Sequence, residues 1–200
     1  MAIKSFTRST IENNIFYRSM LAGNTAYDPG SEFILAEEIL TSSQTSVTFD
    51  VSSVTGYQHL QLRIAARTDR ALHIDSAMMQ LNSDTSTSYK THFLYGSGTS
   101  VTSYAESTTN KFYAARTTGS TGGTSVFGAG VCDILDAFNS SKYTTTRLLT
   151  GLTTSSGSEI YLFSGLWMNT APLTSLTLLP NIGSNFVSGS RFSLYGLKVA

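Results

Sequence analysis

The chain has 200 residues, with 13 Lys and Arg against 13 Asp and Glu, and hydrophobic residues make up 40% of it. A chain of this length folding as one unit buries on the order of 70% of its unfolded surface, so neither disulfides nor a metal are needed to hold it. A net charge of zero, with the cations scattered from Lys4 to Lys198, lacks the basic stripe that phosphate neutralisation requires and argues against nucleic acid as a partner.

The first 30 residues differ from the rest. Ser9 and Glu12 have the S-x-x-E spacing of a helix-capping box, and Ile11, Ile15, Phe16, Met20 and Leu21 make an apolar face before Gly23 ends a short helix. Tyr27-Asp28-Pro29-Gly30 reads as a turn and a domain boundary. A helix of about twelve residues is marginal by itself in water, so its apolar face has to be covered. Residues 1–30 are therefore read as an anchoring arm, which either folds back on its own domain or docks on a neighbouring subunit. Its candidate partner-binding residues are Ile11, Ile15, Phe16, Tyr17, Met20 and Leu21. No apolar run of signal-peptide length opens the chain, and none reaches about 18 residues, so synthesis in the cytoplasm without membrane insertion is expected.

Residues 31–200 are strand-like throughout. The runs are FILAEEIL, TSVTFDV, YQHLQLRIAAR, SAMMQLN, KTHFLYG, KFYAAR, SVFGAGVCDIL, TTTRLLTGL, SEIYLFSGLWMN, LTSLTLLP and NIGSNFVSGSRFSLYGLKV. Val47, Phe49 and Val51 alternate with polar residues, and Leu60, Leu62 and Ile64 alternate with Gln61 and Arg63, which places one face in a core and the other in water. Roughly ten strands with short turns exclude a βαβ architecture. The expected fold class is all-β, an antiparallel two-sheet sandwich of jelly-roll type. Residues 96–103 and 117–125, rich in Gly, Ser and Thr, are expected as loops at the sandwich ends.

Residue by residue, the chain names no catalytic, cofactor-binding or metal-ligating site. His59, His73 and His92 lack ligand spacing, and His59 and His92 fall in strands, where a structural or surface role suits them. Asp133 and Asp136 are three apart and so diverge if both are in a strand, and the neighbours Glu37 and Glu38 diverge for the same reason. Residues 75–84 hold oxygens enough to suggest calcium, yet a β-turn at Asn82-Ser83-Asp84 accounts for them without an ion. Cys132 lies in an apolar run and reads as a buried small hydrophobe, and Trp167 reads as a core residue. No G-x-S-x-G elbow occurs, and GSTGG at residue 119 lacks the Lys-Ser/Thr of a phosphate loop. Tyr89, Tyr95, Tyr104 and Tyr113 flank the mid-chain loops, where they are either half-buried strand residues or a stacking platform for a host glycan.

The segments YQHLQLRIAARTDRA, NSDTSTSYKTH, CDILD followed by TTTRLLTG, and SGLWMNTAPLTSLTLL followed by FVSGSRFSLYGLK resemble a family of small bacteriophage virion proteins of aquatic and cyanobacterial phages. The opening MAIKSFTRSTI is similar to the N-terminal segment of many of them, and Ser83 and Pro172 are mild departures. The resemblance implies a non-enzymatic β-sandwich on the particle exterior, tail-fibre, tail-associated or capsid-decorating, and it assigns no residue a role. The expected localisation is the virion, and the expected partners are other capsid, tail or fibre subunits. Homo-oligomerisation, as a trimer for example, is a further expectation. The alternative is a receptor-binding module that grips a host surface glycan through its end loops.

Overall fold

The computed structural model describes residues 32–198. The expected arm, with Ile11, Ile15, Phe16, Tyr17, Met20 and Leu21, lies outside the described residues. Within them are twelve strands and no helix: β1 (Glu32–Ile39), β2 (Val47–Asp50), β3 (His59–Ala66), β4 (Ile74–Leu81), β5 (Tyr89–Ser97), β6 (Ser100–Thr109), β7 (Phe112–Thr118), β8 (Gly128–Leu135), β9 (Thr144–Thr154), β10 (Gly157–Trp167), β11 (Ser175–Pro180) and β12 (Arg191–Leu197).

The strands form two antiparallel sheets packed as a sandwich, one of order β1-β12-β3-β8-β9-β10-β5-β6 and the other of order β2-β11-β4-β7. The blocks β1-β12-β3-β8 and β2-β11-β4-β7 have the interleaved order of an eight-stranded jelly roll. Two hairpins, β5–β6 and β9–β10, are added to the larger sheet alone.

The strand that sequence patterning missed is β6. Residues 96–103, expected as an end loop, are the tip of the β5–β6 hairpin, with Ser97 paired to Ser100. Gly98, at φ +57, occupies the first of the two turn positions, where a tight two-residue hairpin calls for a glycine. Serine and threonine conceal the strand because threonine is β-branched and serves a wet sheet face as readily as a loop. The second expected loop, 117–125, begins where β7 ends at Thr118.

The core follows the alternation. Leu60, Leu62 and Ile64 of β3, Cys132 and Ile134 of β8, and Phe192 and Leu194 of β12 face Val47 and Phe49 of β2, Leu176 and Leu178 of β11, and Met79 and Leu81 of β4. Cys132 is fully buried, and burial pushes its thiol up to about 12, which leaves it protonated and unreactive. Trp167 is also fully buried, packed with Tyr89 and Phe112 in a cluster where Tyr89 meets Phe112 edge-on at 4.9 Å.

That cluster is tied down by polar pins. The Trp167 indole donates to Asp84 at 2.7 Å, and the Tyr89 hydroxyl donates to the Asp84 carbonyl at 3.0 Å. Asp84 leaves β4 through a turn in which Asn82 and Ser83 both have positive φ and the Asp84 N–H closes on the Leu81 carbonyl, so the β-turn reading of this stretch holds. Asp75, at the other end of β4, is fully buried and accepts from Thr68, Ile182 and Gly183, which anchors the segment after β11.

Hydrogen bonds from Ser86 and then Trp167 outweigh burial and hold the Asp84 carboxyl below the usual 3.8; those from Gln58 and Lys142 do the same for Asp136. Because the unfolded chain binds more protons than the native one in this window, the stabilisation is complete above about pH 5 and is lost as pH falls through the usual carboxyl value and then the lower native ones. Thermal melting should therefore show a midpoint that drops on acidification from pH 5 to pH 2.5. Asp84→Ala should lower stability at pH 7 by about 1–3 kcal/mol, since a buried indole donor loses its acceptor, and should flatten the acid dependence.

Candidate functional site

Four strands cannot cover eight. The edge strand β7 lies against β8 and β9 and only grazes β10 and β5, so the inner face of β10, β5 and β6 extends beyond the smaller sheet. Register places Tyr161 opposite Tyr95 and Phe163 opposite Phe93 across β10 and β5, then Tyr104 opposite Phe93 and Thr102 opposite Tyr95 across β5 and β6. Tyr113 of β7 closes the side. These rings, with Thr102 and Arg116, line a cleft of about 210 Å³.

The rings are mutually ordered. Tyr95 stacks on Tyr161 at 4.9 Å with planes 10° apart, Tyr161 on Phe163 at 5.3 Å and 12°, and Phe163 on Tyr113 at 4.7 Å and 22°. Tyr161 and Phe163 are buried beneath, Phe93, Tyr95 and Tyr113 are half-buried, and Tyr104 is 56% exposed at the open rim.

A β-bulge delivers the cation. Ala77 of β4 pairs with Ala115 while Met78 pairs with Tyr113, so Ala114 is an extra residue in β7. In a regular strand Tyr113 and Arg116, three apart, would point to opposite faces; the extra residue brings both to the cleft. The Arg116 guanidinium carbon sits 4.7 Å from the Tyr161 ring centroid, an arrangement in which the ring quadrupole attracts the cation. Its two terminal nitrogens donate to Ser76 at 2.6 Å and Glu159 at 3.2 Å, while its buried Nε–H has no partner among the described residues. Glu159 also accepts from the Tyr161 hydroxyl at 2.8 Å, and Glu106 of β6 accepts from the Tyr113 hydroxyl at 3.3 Å.

Close approach of the two sheets makes this reach feasible. A Cβ added at Gly128 would stand 2.2 Å from the Arg116 carbonyl oxygen, and one at Gly130 would stand 3.0 Å from the Ala115 Cβ. Glycine at these positions lets the backbone of β7 settle onto β8.

The opposite, outer face of the larger sheet carries a second feature. Val131, Leu149, Leu162 and Leu94 lie in one register row across β8, β9, β10 and β5, and Ile160 and Val101 lie in the next. All six are between 41 and 72% exposed. Gly151 and Gly96 flank Ile160, so the face dips into a trough of about 900 Å³, with Arg63 on its border. A polar row, with Arg147 paired to Asp133 at 3.1 Å, bounds the apolar area on one side.

The titratable residues singled out from sequence are dispersed. Asp133 bonds Gln61 and Arg147 from the outer face, whereas Asp136 lies past the end of β8 at φ +52, bonded to Gln58 and Lys142. His59 accepts the Asp136 N–H at 2.8 Å through Nδ1, a structural role. Glu37 binds Arg191 and Ser193, with Glu38 beside it exposed. No three His, Cys, Asp or Glu side chains among the described residues gather as a metal set would. Of the four tyrosines, Tyr95, Tyr104 and Tyr113 meet at the cleft, on a sheet face rather than on end loops. Tyr89 is corrected to a core residue, because its hydroxyl is used by Leu81 and Asp84. Phe93, Tyr161, Phe163, Arg116, Glu159 and Glu106 were missed. The period-two pairs Phe93/Tyr95 and Tyr161/Phe163 were a visible signal of one aromatic face; the bulge that turns Arg116 was not.

No family model and no curated protein matches the chain. Among solved structures it is similar to the crystal structure of the marine PL-14 alginate lyase from Aplysia kurodai, at 8% identity over 83% of this chain and 80% of that one, with a TM-score of 0.35.

Burial pushes Tyr113 up to about 12, with the Glu106 charge adding to it, and burial likewise raises Tyr161 against the pull of Arg116. Tyr113→Phe and Tyr161→Phe should therefore leave the phenolate absorbance of the folded protein at pH 11 unchanged, while each lowers that of the denatured protein. Gly128→Ala should cost roughly 1–3 kcal/mol in a denaturant titration, as overpacked sites do.

Proposed function

We propose that this chain is a non-enzymatic structural subunit of a phage particle, carried on the exterior as a tail-fibre, tail-associated or capsid-decorating protein. The observation that supports it best is the apolar outer face of the eight-stranded sheet, where Leu94, Val101, Val131, Leu149, Ile160 and Leu162 stand exposed together. Soluble monomers rarely leave a contiguous apolar area of more than a few hundred Å² open, and such areas mark surfaces that meet another protein. A sheet face is suited to this role because its rigid, twisted surface can pack flat on a like surface at about 10 Å separation.

The sequence resemblance supplies the setting, and residues 1–30 supply a second attachment, with Ile11, Ile15, Phe16, Tyr17, Met20 and Leu21 as the apolar anchor on a neighbouring virion protein. Homo-oligomers of such a subunit form through the outer face, with the arm joining them to the particle. The scattered carboxylates and histidines support a non-enzymatic reading.

Deleting residues 1–30 should leave a soluble sandwich that no longer enters particles, measured by co-sedimentation with purified virions; normal incorporation would overturn the anchoring role. Leu149→Asp combined with Ile160→Asp should keep the thermal transition and convert an oligomer to a monomer in sedimentation velocity. An unchanged sedimentation coefficient would remove the outer face from the assembly.

A further inference from the structure

Beyond assembly, the inner-face cleft has the chemistry of a carbohydrate site, and we propose that it binds one ring of a neutral hexopyranose, free or within a longer glycan. A pyranose ring presents a patch of axial C–H groups on a face and hydroxyls around its edge. It is therefore recognised by an aromatic face flanked by groups that accept and donate hydrogen bonds. The cleft supplies both at close quarters.

The stacking surface is Tyr104, 56% exposed at the rim, beside half-buried Tyr95 and Tyr113. Its orientation is held from below: Phe93 lies 5.6 Å from Tyr104 and 4.9 Å from Phe163, and Tyr95 rests flat on Tyr161. A surface so ordered before binding loses little conformational freedom when a ligand arrives. An aromatic cluster serving the core alone would be covered by the opposing sheet, as the Tyr89, Phe112 and Trp167 cluster is. This one lies where the smaller sheet has ended.

Polar groups set the ligand class. Among the described residues Arg116 is the one charged side chain lining the cleft, and two carboxylates back the lining, Glu159 bonded to Arg116 and Glu106 to the Tyr113 hydroxyl. Arg116 and Glu159 already neutralise each other, at 15% and 18% exposure. An acidic sugar would bring further negative charge toward Glu106 while the cation is already paired with Glu159, whereas the hydroxyls of a neutral sugar can exchange hydrogen bonds with the Tyr95, Tyr104 and Thr102 hydroxyls of the lining. Size agrees: about 210 Å³ is below the roughly 300–1,000 Å³ of pockets for drug-sized ligands and fits a single ring.

The test uses the full chain. Methyl glucopyranoside, galactopyranoside and mannopyranoside, and linear trisaccharides of the same sugars, are titrated by NMR with glucuronate and galacturonate alongside. The expected result is binding of at least one neutral sugar with a dissociation constant on the order of 1 mM for the single ring. Shift changes should centre on Tyr95, Tyr104 and Tyr113. Tyr104→Ala, at a position exposed enough to leave folding intact, should weaken binding roughly ten-fold, and Tyr104→Phe, which keeps the ring, should retain it. The proposal is overturned if no neutral sugar binds below about 10 mM, if the uronates bind more tightly, or if Tyr104→Ala leaves affinity unchanged. Shift changes centred on residues 119–125 would move glycan recognition to an end loop and overturn this site as well.

Discussion

Unequal sheet width is the constraint on which the rest of the structure depends. A sheet buried on one face needs an opposing layer of comparable extent, and here eight strands are opposed by four. The smaller sheet covers β12, β3, β8 and β9, where the aliphatic core is concentrated, and ends at β7. Past that edge the chain fills the inner face with aromatic rings in place of Leu and Ile. Tyrosine suits such a margin because its ring packs on one side while its hydroxyl meets water or a carboxylate. The same widening carries Leu94, Ile160 and Leu162 into the outer apolar area, because β5 and β10 belong to the added hairpins.

Three local devices turn the sheet margin into a shaped site. Gly128 and Gly130 let β7 approach β8 closely, the bulge at Ala114 brings Tyr113 and Arg116 to one side, and Glu159 receives both Arg116 and the Tyr161 hydroxyl. None suffices by itself. The glycines let the β7 backbone lie against β8, and without Glu159 the Arg116 guanidinium, at 15% exposure, would lack its counter-charge, a costly arrangement away from water. The site is thus a by-product of packing at the margin of the smaller sheet, lined by rings from β5, β6, β7 and β10.

Much of this was legible in the chain itself. Alternation at Val47, Phe49 and Val51, and at Leu60, Leu62 and Ile64, identifies core strands because side chains of a strand point alternately to its two faces. The apolar surroundings of Cys132 and Trp167 mark them as interior for the same reason. Patterning failed at β6, where Ser100, Ser103 and Ser107 are exposed and Thr102 lies on the cleft rim, so that no apolar period distinguishes it from a loop. It failed again at Tyr89, which sequence grouped with three rim tyrosines. Only the cap provided by Asp84 and Phe112 separates them.

The sequence by itself determined the class of the protein: an all-β sandwich, neutral, with its titratable residues dispersed and an N-terminal segment of different character. Local periodicity carries that information, since it depends on residues two to four positions apart. Which strands pair, how far one sheet outreaches the other, and that Tyr95, Tyr104, Tyr113, Tyr161 and Phe163 share a cleft with Arg116 were decided only in three dimensions. Contacts such as Tyr95 with Tyr161, or Trp167 with Asp84, join positions far apart along the chain. Their pairing is set by strand register, a bulge and glycine-permitted approach, none of which leaves a periodic trace in the sequence.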